Sequence, residues 1–310
     1  MIQISVVVPV YKEELNVRPF LTRLEKVMDQ MNLPYEIIFT LDPSPDRTEE
    51  IIREEIKRNP CIKLMVLSRR FGQPAAIMAG ILNCRGENCT VIDIDLQDPP
   101  ELIPQMYDKL KEGYEVIYAK RRSRKGESIP KLIITWLGYK ILHKISDVNI
   151  PRDTGDFRIM TRAVIEELRK LNESHGFLRG LIAFIGFKQD YIEYDRDERT
   201  YGKGNYNPFF GSFKIGLNGI VGFSNFLLSL SSIIGLIVTA ASFLIMIYII
   251  ISKFILREPY PPGIPTLICV VIFIGGIQLI SIGILGEYIG RIYDEVKRRP
   301  QYIIDKKINF

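Results

Sequence analysis

The stretch Thr90–Pro100, TVIDIDLQDPP, opens as a buried strand would, with Val91, Ile92, Ile94 and Leu96, yet carries Asp93, Asp95 and Asp98 before it stops at two prolines. A buried carboxylate costs several kcal/mol unless it is paired or bound to a cation, so three acids at one strand end require a positive partner.

On its N-terminal side the chain alternates short apolar strands with amphipathic helices. Strands are predicted over Ile4–Val10, Glu36–Leu41, Lys63–Ser68 and Thr90–Ile94, and helices over Arg18–Met31, Thr48–Arg58 and Gln73–Asn83. That alternation argues for an α/β fold, a parallel sheet with helices on both faces. Ligands of open α/β sheets sit beyond the carboxyl ends of the strands. Tyr11 and Glu13 follow the first strand, Asp42 the second, Arg69 and Arg70 the third, and the acid cluster the fourth. Further on, a helix over about Pro100–Glu112 and a strand over Glu115–Ala119 lead into the basic run KRRSRKGES.

Hydrophobic content of 47% is ordinary, but its distribution is not. Neither 225–251 nor 264–286 contains a charged residue, and each exceeds the roughly 20 apolar residues that carry a helix across a bilayer. Core helices of soluble domains rarely run so long uncharged. Two transmembrane helices are therefore expected, joined by the short connector SKFILREPYPPGI. Basic flanks, including Arg291, Lys297 and Arg298, place the N-terminal domain and a basic tail, 287–310, on the cytoplasmic face of the plasma membrane, with the connector outside. Two more segments, 130–146 and 208–223, are too polar to span and too apolar for an ordinary surface helix; each reads as an interfacial helix or one packed on the sheet. The N-terminus lacks the pattern of a secretory signal.

A net charge of +5, with its basic residues near the spans, suits an anionic lipid surface, and no nucleic-acid motif is present. Cys61, Cys84, Cys89 and Cys269 lack zinc spacing, and His143 and His175 stand alone. Asp93 and Asp95, followed by Gln97, instead offer hard oxygen ligands, which suit magnesium or manganese completed by substrate phosphates.

SVVVPVYKEE (Ser5–Glu14), LDPSPDRT (Leu41–Thr48), SRRFGQPAAIMAG (Ser68–Gly80), VIDIDLQDPPE (Val91–Glu101), GDFRIM (Gly155–Met160) and RTYGKGNY (Arg199–Tyr206) follow in order the motifs of inverting family-two glycosyltransferases. Over essentially its whole length the chain resembles the polyprenyl-phosphate branch, similar to dolichol-phosphate mannose synthases and bacterial bactoprenol glucosyltransferases. The resemblance implies a GT-A fold, Rossmann-like, over 1–207. It implies that Pro9, Tyr11, Glu13, Asp42 and Asp93 line the nucleotide-sugar site, and that Asp95, with Gln97 and Asp93, holds Mg2+ or Mn2+. It also implies that Asp156 and Arg199 serve catalysis and that the protein is a homo-oligomer, such as a tetramer. Two departures stand out. The family's Asp-Asp-Gly-Ser is Leu41-Asp42-Pro43-Ser44 here, and the lysine expected near the diphosphate is Asn205, leaving Lys203 to replace it.

The implied reaction is inverting transfer from a nucleotide sugar, UDP-glucose by family likeness, to undecaprenyl phosphate; mannosyl and aminoarabinosyl transfer share the motifs. A phosphate monoester is mostly ionised at neutral pH, so Asp156 is expected to orient the acceptor or share its residual proton. Arg122, Lys131 and Arg158 are the expected acceptor-phosphate ligands, although Arg158 beside Asp156 also reads as a structural ion pair, and KRRSRK as a contact to anionic headgroups. A processive polysaccharide synthase would need a Gln-x-x-Arg-Trp motif, which the single tryptophan, Trp136, does not supply. A membrane scaffold that only senses nucleotides is the other alternative, and the intact acids argue against it.

Overall fold

The computed structural model describes residues 1–122, 154–171, 173, 178–197, 226–251 and 263–310. Two compact units divide the chain, Met1–Gly219 with Arg299–Phe310, and Ile220–Arg298.

In the first unit, β1 (Ile4–Val10), α1 (Val17–Met31), β2 (Tyr35–Leu41), α2 (Thr48–Arg58), β3 (Ile62–Leu67), α3 (Gln73–Asn83) and β4 (Asn88–Val91) follow the expected alternation. After a short 3-10 turn come α4 (Ile103–Lys111), β5 (Val116–Arg121), β6 (Thr154–Thr161), α5 (Arg162–Lys170), α6 (Leu178–Ile185) and β7 (Gln189–Tyr194). The second unit holds α7 (Phe226–Ile251) and α8 (Ile264–Lys297), after which β8 (Ile304–Ile308) belongs again to the first.

Among the described residues the strands form one sheet in the order β7-β5-β6-β4-β1-β2-β3-β8. β3, β2, β1 and β4 are mutually parallel, and β6 and β8 run antiparallel to their neighbours. This is the α/β, GT-A-like Rossmann arrangement expected from the sequence. β1 is buried along its whole length, as a β-branched run covered on both faces should be. Pro9 is tolerated there because its nitrogen lies past the last β1–β4 pair, Val7 with Val91, where no ladder bond is lost. On α1, Val17, Phe20, Leu21, Leu24, Val27 and Met28 recur at helical spacing and form the buried face. Helix α3 lies so close to β1 that a Cβ at Gly80 would collide with Val7.

Two departures from expectation go beyond a residue or two at an element's end or matter for the site. β4 ends at Val91, not Ile94, so Asp93 and Asp95 stand in the turn beyond the strand. Ile92, Ile94 and Leu96 are nonetheless buried, which is why the stretch alternates like a strand. The segment 287–310, expected as a basic tail, is instead the end of α8 followed by β8. Helix α8 continues past Gly286 through an amphipathic stretch in which Arg291 and Glu287 pair at 3.1 Å. β8 pairs with β3, and Tyr302, Ile304 and Phe310 pack against Met65, Leu67, Ala76 and Ala79.

Both helices of the second unit are apolar, with Leu236, Leu244, Phe273 and Leu279 exposed. Among the described residues one stretch, Phe273–Lys297, is long and apolar enough to cross a membrane. The expected helices 130–146 and 208–223 and the connector lie outside the described residues.

Candidate active site

The carboxyl ends of β1 to β4 gather the side chains singled out in the sequence. After β1, Lys12 takes a left-handed φ of 57° and the backbone turns against the β2–α2 loop, with the Glu13 N–H donating to Thr48 Oγ1 at 3.0 Å. Tyr11 lies under the Arg70 guanidinium, 4.0 Å from the ring centre.

Asp42, expected to contact the nucleoside, is buried, and its two oxygens accept the N–H groups of Phe71 at 3.0 Å and Gly72 at 2.8 Å. Its role in this structure is to hold the β3–α3 loop, because an acid at the end of β2 faces the free N–H groups where β3 gives way to α3. Gly72 carries a φ of 95°, a turn that disfavours a side chain. The next residue, Gln73, donates from Nε2 to Asp93 Oδ1 at 2.9 Å.

The acids meet on the other side of β4. The antiparallel β4–β6 ladder ends with Val91 facing Arg158, and Asp93, two residues past it, lies near enough to Asp156 to feel its charge. Burial, then the charges of Asp156, Asp98 and Asp95, push the Asp93 carboxyl well above the usual carboxylate range. Asp95 accepts the Gln97 N–H at 3.2 Å and faces Arg196 Nη2 at 3.8 Å. Asp98 is buried; one oxygen accepts the Tyr194 hydroxyl and lies 3.4 Å from Arg196 Nε, and the other has no hydrogen-bond partner among the described residues. Gln97 donates its side-chain amide to the Asp197 carbonyl at 3.3 Å, so its amide oxygen is the atom left for a ligand.

This donor set fits a hard divalent ion. Crowded acid oxygens and one orphaned carboxylate oxygen call for positive charge that the pairs to Arg196 only partly supply. Among the described residues no three acidic, histidine or cysteine side chains close into a cage, so substrate oxygens and water would complete the coordination, as is usual for magnesium or manganese.

Asp156 is surrounded by guanidinium groups. Burial opposes its charged form, but Arg179, Arg158 and Arg121 outweigh that and hold its carboxyl below the usual range. Arg121 Nη2 lies 3.0 Å from where a Cβ on residue 155 would stand, so a side chain there would press on that guanidinium. Arg158, expected as an acceptor-phosphate ligand, is fully enclosed; it donates to the carbonyls of Gly155 at 2.8 Å and Asp156 at 3.1 Å and lies over the Tyr118 ring. That makes it a brace for β6, because a residue in the middle of an interior strand points into the core. Arg122 is exposed and pairs with Asp195 at 3.3 Å. Arg199, Lys203 and Lys131 lie outside the described residues.

Thus Pro9, Tyr11, Glu13, Asp42, Asp93, Asp95, Gln97 and Asp156 share one end of the sheet, with Arg121 of the basic run beside Asp156, and Gln73, Arg179 and Arg196 join them with no role legible in the sequence. Arg179 had a local signal: it is the one charge in LRGLIAFI.

The sequence profile of glycosyl transferase family 2 matches residues 5–169. The uncharacterized glycosyltransferase YkcC of Bacillus subtilis is 45% identical over 98% of this chain and 94% of its own. The SfII prophage-derived bactoprenol glucosyl transferase of Shigella flexneri is 38% identical over 98% of both chains. A crystal structure of glucosyl-3-phosphoglycerate synthase from Mycobacterium tuberculosis in complex with Mn2+, UDP-glucose and phosphoglyceric acid superposes with a TM-score of 0.45 at 17% identity, covering 71% of this chain and 77% of that one.

Proposed function

The chain belongs to glycosyl transferase family 2, and on that basis we propose that it moves a sugar, glucose from UDP-glucose, onto undecaprenyl phosphate with inversion at the anomeric carbon. The observation that carries this reading is the closeness of Asp156, on β6, to Asp93 just past the end of β4, where their charges act on one another, with Asp95 beside Asp93 and arginines around Asp156. Full-length relatives named bactoprenol glucosyl transferase supply the substrate class.

Tyr11 and the loop fixed by Asp42 form one wall of the donor site, with Arg70 beside it. Asp95 and Asp93, with the Gln97 amide oxygen, would hold a magnesium or manganese ion, whose charge offsets that on the departing nucleoside diphosphate. Arg199 and Lys203 act on the same leaving group. Asp156 faces the acceptor: it orients the lipid phosphate or shares its residual proton, a small task because that phosphate is mostly ionised at neutral pH. Arg122 and Lys131 draw the phosphate to the site.

Helices α7 and α8 both cross the bilayer in this reading. Chain on either side of the pair belongs to the same sheet, so the number of crossings must be even. A single crossing would part β8 from β3 by a membrane. The catalytic unit and the C-terminal strand are then cytoplasmic, the basic residues near Lys297 marking that face. Helices at 130–146 and 208–223 would rest on the same surface, and the active form is a homo-oligomer.

The test incubates membranes containing the protein with undecaprenyl phosphate and a panel of radiolabelled nucleotide sugars, then counts the lipid extract. Label from UDP-glucose is expected, falling about a hundredfold in Asp95→Asn. No label from any donor overturns the transferase reading, and label from another sugar alone corrects the donor.

A further inference from the structure

Two arginines reach Asp156, and they do different work. Arg158 is spent on the backbone, since its Nε and Nη2 donate to the carbonyls of Asp156 and Gly155, and it lies 3.5 Å from the Asp156 carboxylate. Arg179 comes from another element, the first turn of α6, where Leu178, Leu181 and Ile182 anchor the helix in the core. Its Nε lies 3.1 Å from Asp156 Oδ1, and its side chain is 20% exposed, so the bond is largely shielded from water. Both arginines address Oδ1. Among the described residues Oδ2 accepts no hydrogen bond, which leaves it for an incoming group.

We propose that Arg179 is a positioning residue that grips Asp156 by Oδ1 and so presents Oδ2 to the phosphate of the acceptor. The proposal rests on the glycosyl-transfer reading above and adds the residue that makes Asp156 effective. A carboxylate on a strand end can rotate about its side-chain bonds; a charged hydrogen bond from a helix packed into the core removes that freedom. Cation and geometry are both required, because Asp156 is one of three acids, with Asp98 and Asp95, whose charges converge on Asp93, and a neutral donor would leave the four acids less compensated. Lysine could restore the charge but not the planar, fixed Nε donor.

The test measures initial rates of the wild type, Arg179→Ala and Arg179→Lys in membranes, with donor and acceptor varied separately and the melting temperature of each purified protein recorded. Loss of an orienting partner typically costs about 10- to 100-fold. Arg179→Ala is therefore expected to lose about that much kcat while the KM for nucleotide sugar stays within about twofold. Free guanidinium should restore part of the loss, whereas urea should not. Arg179→Lys should fold like the wild type and fall between the two. If Arg179→Ala fails to fold, the Arg179→Lys rate decides: wild-type kcat there overturns the proposal. So does wild-type kcat in Arg179→Ala, or a loss confined to donor KM. A wild-type protein that labels no lipid overturns the transfer reading and this one together, whereas an active wild type with unaffected variants removes only Arg179.

Discussion

With both Asp42 oxygens taken by the N–H groups of Phe71 and Gly72, the loop that brings Arg70 to Tyr11 and Gln73 to Asp93 is tied down by one carboxylate. Asp42→Ala leaves two N–H groups without that acceptor, so it should lower stability by about 1–3 kcal/mol and raise the donor KM. Thermal unfolding beside donor titration checks this; an unchanged melting temperature with a raised KM would assign Asp42 to nucleoside contact instead. At this scale the acids were legible because Asp93, Asp95 and Asp156 sit in short motifs whose chemistry is local. Arg179 and Arg196 were not, because their partners are distant in sequence: Asp156 lies 23 residues before Arg179, and Asp95 belongs to another strand end altogether. Arg158 shows the converse, a charge whose motif suggested an open ligand and whose strand position buries it.

Glu36 on β2 and Lys63 on β3 form an ion pair inside the sheet, with 1% and 9% of the side chains exposed. Burial alone would raise the Glu36 carboxyl, but hydrogen bonds from Lys63, Ser5 and the Arg85 N–H outweigh it and the net direction is down. A lowered folded-state pKa gives stability that is fully present above the unfolded value of about 4.3 and is lost as pH falls through the folded value. Unfolding free energy should therefore drop below about pH 4.3 more steeply in the wild type than in Glu36→Gln, a variant that costs about 3 kcal/mol at neutral pH by leaving Lys63 unpaired. Equal acid slopes in urea titrations would show that the pair does not couple to folding. The elements from β1 to α3 were readable because their apolar periods are clean. The sequence makes β4 look three residues longer at its end than it is, since Ile92, Ile94 and Leu96 keep alternating after the ladder ends. β8 has no apolar period to reveal it, because Asp305, Lys306 and Lys307 lie between Ile304 and Ile308 at its ends.

For the molecule as a whole, connectivity is the strongest constraint on topology, since a sheet interrupted by two long apolar helices and then resumed fixes which segments share a compartment. A single cysteine introduced as Glu258→Cys should react with a membrane-impermeant maleimide in intact cells, and one introduced as Asp305→Cys only after permeabilisation. Labelling of both from outside, or of neither, would contradict two crossings. The apolar runs made the helices legible, but the return to the sheet was not, because β-pairing between Leu64 and Ile308 leaves no trace in either segment alone. The same pairing sets an order of events during synthesis. β3 leaves the ribosome early and waits with one edge bare, and its partner emerges only after both helices have been made, so the sheet is finished last. Until β8 arrives, that sticky edge stays open to other strands, to chaperones and to proteases.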